Sequence, residues 1–365
     1  SLIAPGTCPT VHAMTVLETD TSTASDGCTM LGIYGSYYSN AKEALDKIND
    51  IRYEACTAGN VPDPRNPERM LTPSDYSPLK WSSDLERVAR IRAAEAGIAY
   101  HFMDSGHQRL NQKKISDIVY NGHHSSAEDL SYYDNKDMIE GILLWYMEKK
   151  DWVNQDSKTT GHYTSIINPN NTYIGLGGFY TEATPYPATL AGELSATSEQ
   201  GLDETMLSAP KDVMQKIEVS DDFIKNNLLD GTTTIETDQA TTLTPMVQIQ
   251  RKSTRKLWML GTFTYSSSNT AVAKVANTGV VTGVTDGTAT ITVRSGNHVI
   301  ASTEVTVKCA HPLKMTSSTP STCQRAGERV YYCSVCNKTT KQTLPLACLL
   351  YTSDAADDSL RVDLG

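Results

Sequence analysis

Near the C-terminal end of the chain, Cys309, His311, Cys323, Cys333 and Cys336 bring ligand-type side chains into a short span. Cys333-Ser-Val-Cys336 has the spacing at which two thiolates share one tetrahedral ion, and Cys323 with Cys309 or His311 completes a four-ligand set for zinc. Disulfides are the competing reading in an oxidising compartment. The N-terminal half carries a second group of notable stretches: His107-Gln-Arg-Leu-Asn111, Ala127-Glu-Asp-Leu130, Trp145-Tyr-Met-Glu148 and Gly161-His-Tyr-Thr164.

The elements that must position these residues can be read from periodicity. Residues 36–196 read as one α+β domain. Ser39 or Asn40 caps a helix whose apolar face runs Ala44, Leu45, Ile48, Ile51, Ala55. The proline-rich stretch Val61–Pro78 reads as loop. A second helix opens at Ser83 with Glu86 as a capping box, and a third runs from Lys136 to Lys149. His162–Ile167 and Thr172–Tyr180 read as two strands of a hairpin joined at Asn168-Pro-Asn-Asn171. Residues 1–35 form an N-terminal segment and 197–213 a polar linker. Residues 214–308 have the short Thr/Val runs and Gly turns of an all-β sandwich, and 309–347 form the Cys-rich module.

Composition excludes several function classes. The chain has 365 residues, 32 Lys+Arg against 42 Asp+Glu and a formal charge of −10, so it lacks the basic stripe a general nucleic-acid binder needs. No apolar run reaches the roughly 18–20 residues of a membrane-spanning helix. With 39% hydrophobic residues and 18 Tyr it can build cores, which excludes a disordered chain.

The order of His107, Ala127-Glu128-Asp129-Leu130, Trp145-Tyr-Met-Glu148 and Gly161-His162-Tyr-Thr164 resembles the CAP superfamily, the SCP/TAPS group of cysteine-rich secretory, antigen 5 and pathogenesis-related proteins. The resemblance covers residues 36–196 and is closest to bacterial members. It implies a three-layer α-β-α sandwich with an open cleft, and it places His107, Glu128, Glu148 and His162 in that cleft. It also implies a divalent ion, zinc by donor type, between His107 and His162. Glu128 or Glu148 would be the general base if the protein were a metal-dependent hydrolase. Tyr163 can point into the cleft or support its strand. Ala127 and Asp129 depart from the family's Gly and Asn, and Asp129 is expected to make the cleft more acidic and to raise one carboxylate by like-charge repulsion.

Ser266–Val293 (SSSNTAVAKVANTGVVTGVTDGTATITV) resembles the bacterial Ig-like group 2 repeat, a spacer without chemistry. Residues 309–347 resemble small Cys-rich repeats at the ends of bacterial surface proteins. Residues 348–365 resemble a translated sequencing adapter, so the expectation is that authentic sequence stops at Ala347 and that further C-terminal modules, which could attach the protein to a surface, are missing. The start at Ser1 without a leader reads as a mature or fragmentary product. Cys8 and Cys28 bracket a polar segment as a small disulfide loop does.

Three functions follow as expectations. The first is a secreted or cell-surface bacterial binding module that holds a divalent cation and a small apolar or glycan ligand, or a cell-wall component. The second is a metal-dependent hydrolase of peptide or wall material, which lacks Gly-x-Ser-x-Gly and His-Glu-x-x-His motifs. The third is a purely structural adhesin.

Overall fold

The computed structural model describes residues 14–103, 105–182, 184–250 and 254–347. Cys8, and with it the Cys8–Cys28 loop, and the adapter-like residues 348–365 lie outside the described residues.

The chain divides into two compact units. The first comprises residues 1–230, 244–264 and 293–301, and the second residues 231–243, 265–292 and 302–365. In the first unit, helix α1 spans Ala41–Thr57, α2 Ser83–Phe102, α3 Met138–Tyr146, α4 Lys149–Val153 and α5 Gly161–Ile167. The α1 face Ala44, Ile48, Ile51 and Ala55 is buried as its spacing requires. Asn40 does not cap α1 with its side chain; it bonds Asp137 and the Met138 N–H at the start of α3 (2.7 and 3.0 Å), tying the two helices together. The cap of α2 is Ser82, which accepts from the Leu85 N–H at 3.2 Å. Glu86 therefore closes no capping box and instead accepts from the Leu207 N–H at 2.7 Å.

A ten-stranded sheet runs through this unit. Its main path orders the strands Ile224–Asp230, Thr244–Gln250, Thr254–Met259, Cys28–Tyr38, Tyr173–Tyr180, Ala188–Ser195 and Ala127–Tyr133. Strand alternation sorts the last three between two cores. Ile174, Leu176, Leu190 and Leu194 pack with α1, α3 and α5. Leu130, Phe179 and Ala191 pack with Ala89, Ala93 and Ala96 of α2. The sheet is thus the middle layer of an α-β-α sandwich. Helix α2 lies directly on its backbone: a Cβ at Gly175 would fall 2.1 Å from the Glu86 nitrogen, and one at Gly177 2.5 Å from the Ala89 carbonyl carbon.

Several expectations are corrected. Val61–Pro78 is not all loop: Pro62–Asp63 pairs with Asn66–Met70. Arg65 and Arg69 hold this ladder by bridging Asp63 and Asp75 at 2.5–2.8 Å. The third helix breaks at Met147–Glu148 into α3 and α4. The expected first hairpin strand is helix α5, because Tyr163, Ile166 and Ile167 bury one helical face, a spacing that a short apolar run does not distinguish from a strand. The interval borders also move. Strand Val213–Ser220 pairs over eight positions with Cys28–Gly35, so parts of the N-terminal, linker and Ig-like intervals are strands of the first unit.

The second unit holds the Ig-like strands. Thr234–Glu236 runs parallel to Thr306–Lys308, and Val280–Gly283 is flanked by Ala240–Thr242 and Ala273–Val275. Ile235, Ala273, Val281, Ala289, Ile291, Val305 and Val307 are buried between them. The turn before Val280 uses Gly279 at φ +85°. Lys314–Thr319, Gly327–Cys333 and Lys338–Leu344 then form a three-stranded antiparallel sheet.

Candidate functional site

The histidine site straddles the edge strand Ala127–Tyr133. On the α2 side, His107 Nδ1 lies 2.8 Å from Glu128 Oε1. Glu128 in turn accepts from the Arg92 guanidinium at 2.7 and 3.1 Å. Arg92 also reaches Glu95 at 2.7 Å, and Glu95 accepts from Arg109, which reaches Asp20, both at 2.8 Å. Arg92, Glu95 and Arg109 are fully buried, so a chain of alternating charge runs from the His107 ring into the core. Burial alone would raise Glu128, but Arg92 and the His107 hydrogen bond outweigh it and hold the carboxyl well below the usual range. Directly opposite on the next strand, Glu193 is fully buried. Burial, then the Glu128 charge, pushes its carboxyl well up.

On the other side, the break between α3 and α4 turns Glu148 toward the start of α5. Its Oε1 lies 2.6 Å from His162 Nδ1, and its Oε2 accepts the Tyr163 N–H at 3.0 Å. One carboxylate therefore orients the imidazole and caps a helix N-terminus. The two rings face each other with centroids 6.4 Å apart and planes 25° from parallel. With each Nδ1 at hydrogen-bond distance from a carboxylate, Nε2 is the ring nitrogen left without that contact. Trp145 stacks behind His162 at 6.4 Å and anchors its indole N–H on the Leu130 carbonyl at 2.9 Å.

Asp129 is buried rather than exposed to the cleft. Alternation turns it to the α5 side, where Ser165 Oγ lies 2.6 and 2.5 Å from its oxygens. Full burial, and then the charges of Glu148 and Glu128, hold its carboxyl well above the usual range. Tyr163 is likewise not in the cleft. It is completely buried, edge-on to Tyr146 at 6.2 Å, and its hydroxyl has no hydrogen-bond partner among the described residues. A pocket of about 580 Å³ opens beside His107 and Glu128, lined also by Gln108, Lys113, Ser126 and Phe223. A second of about 470 Å³, beside Ser126 and Ala127, reaches Thr164 and Trp152.

The Cys-rich residues converge more tightly. Donor atoms of Cys309, His311, Cys333 and Cys336 all lie within 4.8 Å of one another, so the group could hold a metal ion. His107, Glu128, Glu148 and His162 form no comparable group among the described residues; they are two His–Glu pairs facing each other. Cys323 stands outside the four-donor group, with its thiol on the Ala347 carbonyl at 3.1 Å. In the group, His311 Nδ1 is 3.1 Å from Cys336 Sγ and 3.8 Å from Cys309 Sγ. The Cys336 N–H points at Cys333 Sγ at 3.4 Å, the turn geometry of a thiolate pair. Backbone N–H groups, Cys336 first, bring the Cys333 thiol down to about 7.

Sequence reasoning did not find Arg92, Glu95, Arg109, Glu193 or Ser165. The signal available for the first two was an Arg–Glu pair at i, i+3 on the Ala-rich, buried side of α2.

With this geometry in place, residues 45–188 match the cysteine-rich secretory protein family model, CAP. Residues 223–307 match the bacterial Ig-like domain of group 2. The chain therefore carries a CAP domain followed by a bacterial Ig-like domain. Venom allergen 5 of Microctonus hyperodae is 22% identical over 163 residues, which cover 41% of this chain and 66% of that protein. Venom allergen-like protein 4 of Schistosoma mansoni aligns with 45% of this chain and 96% of its own, at 12% identity and a TM-score of 0.27. The C-terminal 282-residue fragment of intimin, solved with the intimin-binding domain of its translocated receptor, aligns with 42% of this chain and 55% of its own. That match has 19% identity and a TM-score of 0.18. No helix among the described residues is long and apolar enough to cross a membrane.

Proposed function

We propose that this chain is part of a secreted or cell-surface binding protein whose CAP cleft holds a divalent cation between His107 and His162. Glu128 and Glu148 act as the orienting carboxylates. The observation that carries this reading is the pair of facing rings, each held through Nδ1 by a carboxylate. Two imidazole donors suit zinc, with Zn–N bonds of about 2.0–2.1 Å. The adjoining 580 Å³ pocket has the size of a small-ligand site and takes a small apolar or glycan ligand, or a cell-wall fragment. The Cys309, His311, Cys333 and Cys336 group is read as a second, independent zinc site, since three thiolates and one imidazole form a closed structural donor set.

The hydrolase reading has less support. Arg92 holds Glu128 ionised and weakly basic, and Glu148 is committed to the α5 N-terminus. The test is metal analysis of the full chain beside the His107→Ala/His162→Ala double variant. The expected result is loss of one equivalent of zinc with the other retained. Unchanged metal content in the double variant would overturn the cleft assignment.

A further inference from the structure

The sheet formed by Lys314–Thr319, Gly327–Cys333 and Lys338–Leu344 has no core of its own. Lys314–Thr319 is exposed at every residue, and Lys338–Leu344 at every residue but Leu344. In the middle strand only Gly327 and Cys333 are buried. A sheet so small cannot offset the ordering of its chain, about 1.5 kcal/mol per residue, with apolar burial at about 25 cal/mol per Å². Another staple is needed, and Cys309, Cys333 and Cys336 are free thiols rather than disulfides. The one buried side chain of the sheet points into the four-donor group.

We propose that the ion in this group, which rests on the zinc reading above, is the joint that fastens the C-terminal sheet to the Ig-like domain. Cys309 and His311 follow the last Ig-like strand, His298–Lys308. Cys333 and Cys336 form the turn between two strands of the C-terminal sheet, closed by Asn337 at φ 58°. Each side therefore supplies two of the four ligands. Asp286, in the Ig-like turn before Gly287–Ser295, braces the joint from outside. Its N–H donates to Cys336 Sγ at 3.3 Å. Its carboxylate accepts from the Cys309 N–H at 3.3 Å and from Lys338 Nζ at 2.7 and 3.0 Å. The largely exposed Asp238 carboxylate stands 3.5 Å from His311 Nε2. Lys338 pairs with the Asp286 carboxylate, so Asp286 adds no net charge beside the thiolates.

The experiment uses the full chain, purified under reducing conditions, with zinc content and amide exchange followed before and after chelation. The joint requires that chelation release a cysteine-dependent equivalent of zinc. It also requires that exchange of residues 314–344 speed up by about tenfold or more while Val280–Gly283 stays protected, with zinc restoring the original rates. Zinc content unchanged by Cys333→Ser/Cys336→Ser, or a native disulfide among these cysteines, would overturn the zinc reading itself. Cysteine-dependent zinc whose removal leaves exchange of 314–344 unchanged would leave that reading standing and overturn the joint. Because the cysteine variant can lose the whole sheet, Asp286→Ala gives an independent arm. It should still bind one equivalent at saturation, with affinity reduced about 10–100-fold; undiminished affinity would remove Asp286 from the joint.

Discussion

Glu128 and Asp129 are consecutive in the edge strand Ala127–Tyr133 and serve opposite layers of the sandwich. Glu128 meets Arg92 and His107 on the α2 side, while Asp129 meets Ser165 of α5 on the other. The strand period of two makes this unavoidable. It also separates two carboxyls adjacent in sequence into one held well below the usual range by a guanidinium and one pushed well above it by burial. Ser165 Oγ donates to the Asp129 carboxyl and also lies 2.9 Å from the His162 carbonyl, tying the strand to α5.

Arg92→Ala should destabilise the CAP domain by about 3–5 kcal/mol, because Glu128 and Glu95 would remain buried without their shared cation. Chemical denaturation of the variant measures this. A loss below about 1 kcal/mol would mean that the charge chain is hydrated or rearranges freely.

Glu148→Ala removes both the bond to His162 and the acceptor for the Tyr163 N–H. The expected cost is about 0.5–2 kcal/mol from the lost helix cap. Zinc affinity of the cleft should fall about 10–100-fold, because the imidazole loses its orienting carboxylate. Zinc titration separates the two effects, since an affinity equal to wild type would break the link between Glu148 and the cleft.

Asp129→Asn should stabilise the protein at neutral pH. The folded-state carboxyl is raised above its ordinary 3.8, so between that value and its folded value the native state binds the extra proton and stability falls as pH rises. The amide carries no such penalty. The stability difference between variant and wild type should therefore be smallest near pH 4 and widen toward pH 8 in parallel urea melts. A difference that does not grow with pH contradicts the assignment.

His123 provides the opposite sign. Its bond to Asp84 at 2.7 Å, with Glu199 at 3.1 Å, raises it above 6.5. The charged pair then contributes fully below about 6.5, and its contribution is lost as pH rises through the folded value. His123→Gln should cost up to about 1 kcal/mol at pH 5.5 and almost nothing at pH 9, read from thermal melts. A larger loss at the higher pH would reverse the assignment.

Part of the residue pattern was legible before any fold. The order of His107, Glu128, Glu148 and His162 is a linear pattern, and so is Cys333-Ser-Val-Cys336. Helices α1 and α2 were legible because each sustains an apolar face over several turns. Helix α5 was not, because seven residues hold too few turns to separate a helical from a strand period. The unit borders were also hidden: Val213–Ser220 finds its partner in Cys28–Gly35, far away in the chain, and no local signal records such a pairing.

Residue types and their order by themselves determined which side chains are available to ligate, the CAP and Ig-like modules, and the acidic net charge. Only the tertiary structure decided what those side chains experience. It placed Arg92 under Glu128, sent Asp129 and Tyr163 away from the cleft, left Cys323 out of the metal-type group and brought Asp286 against Cys336. Ligand identity is a property of single residues, whereas protonation state and orientation depend on burial and on charges contributed by distant segments, and these exist only once the layers have packed.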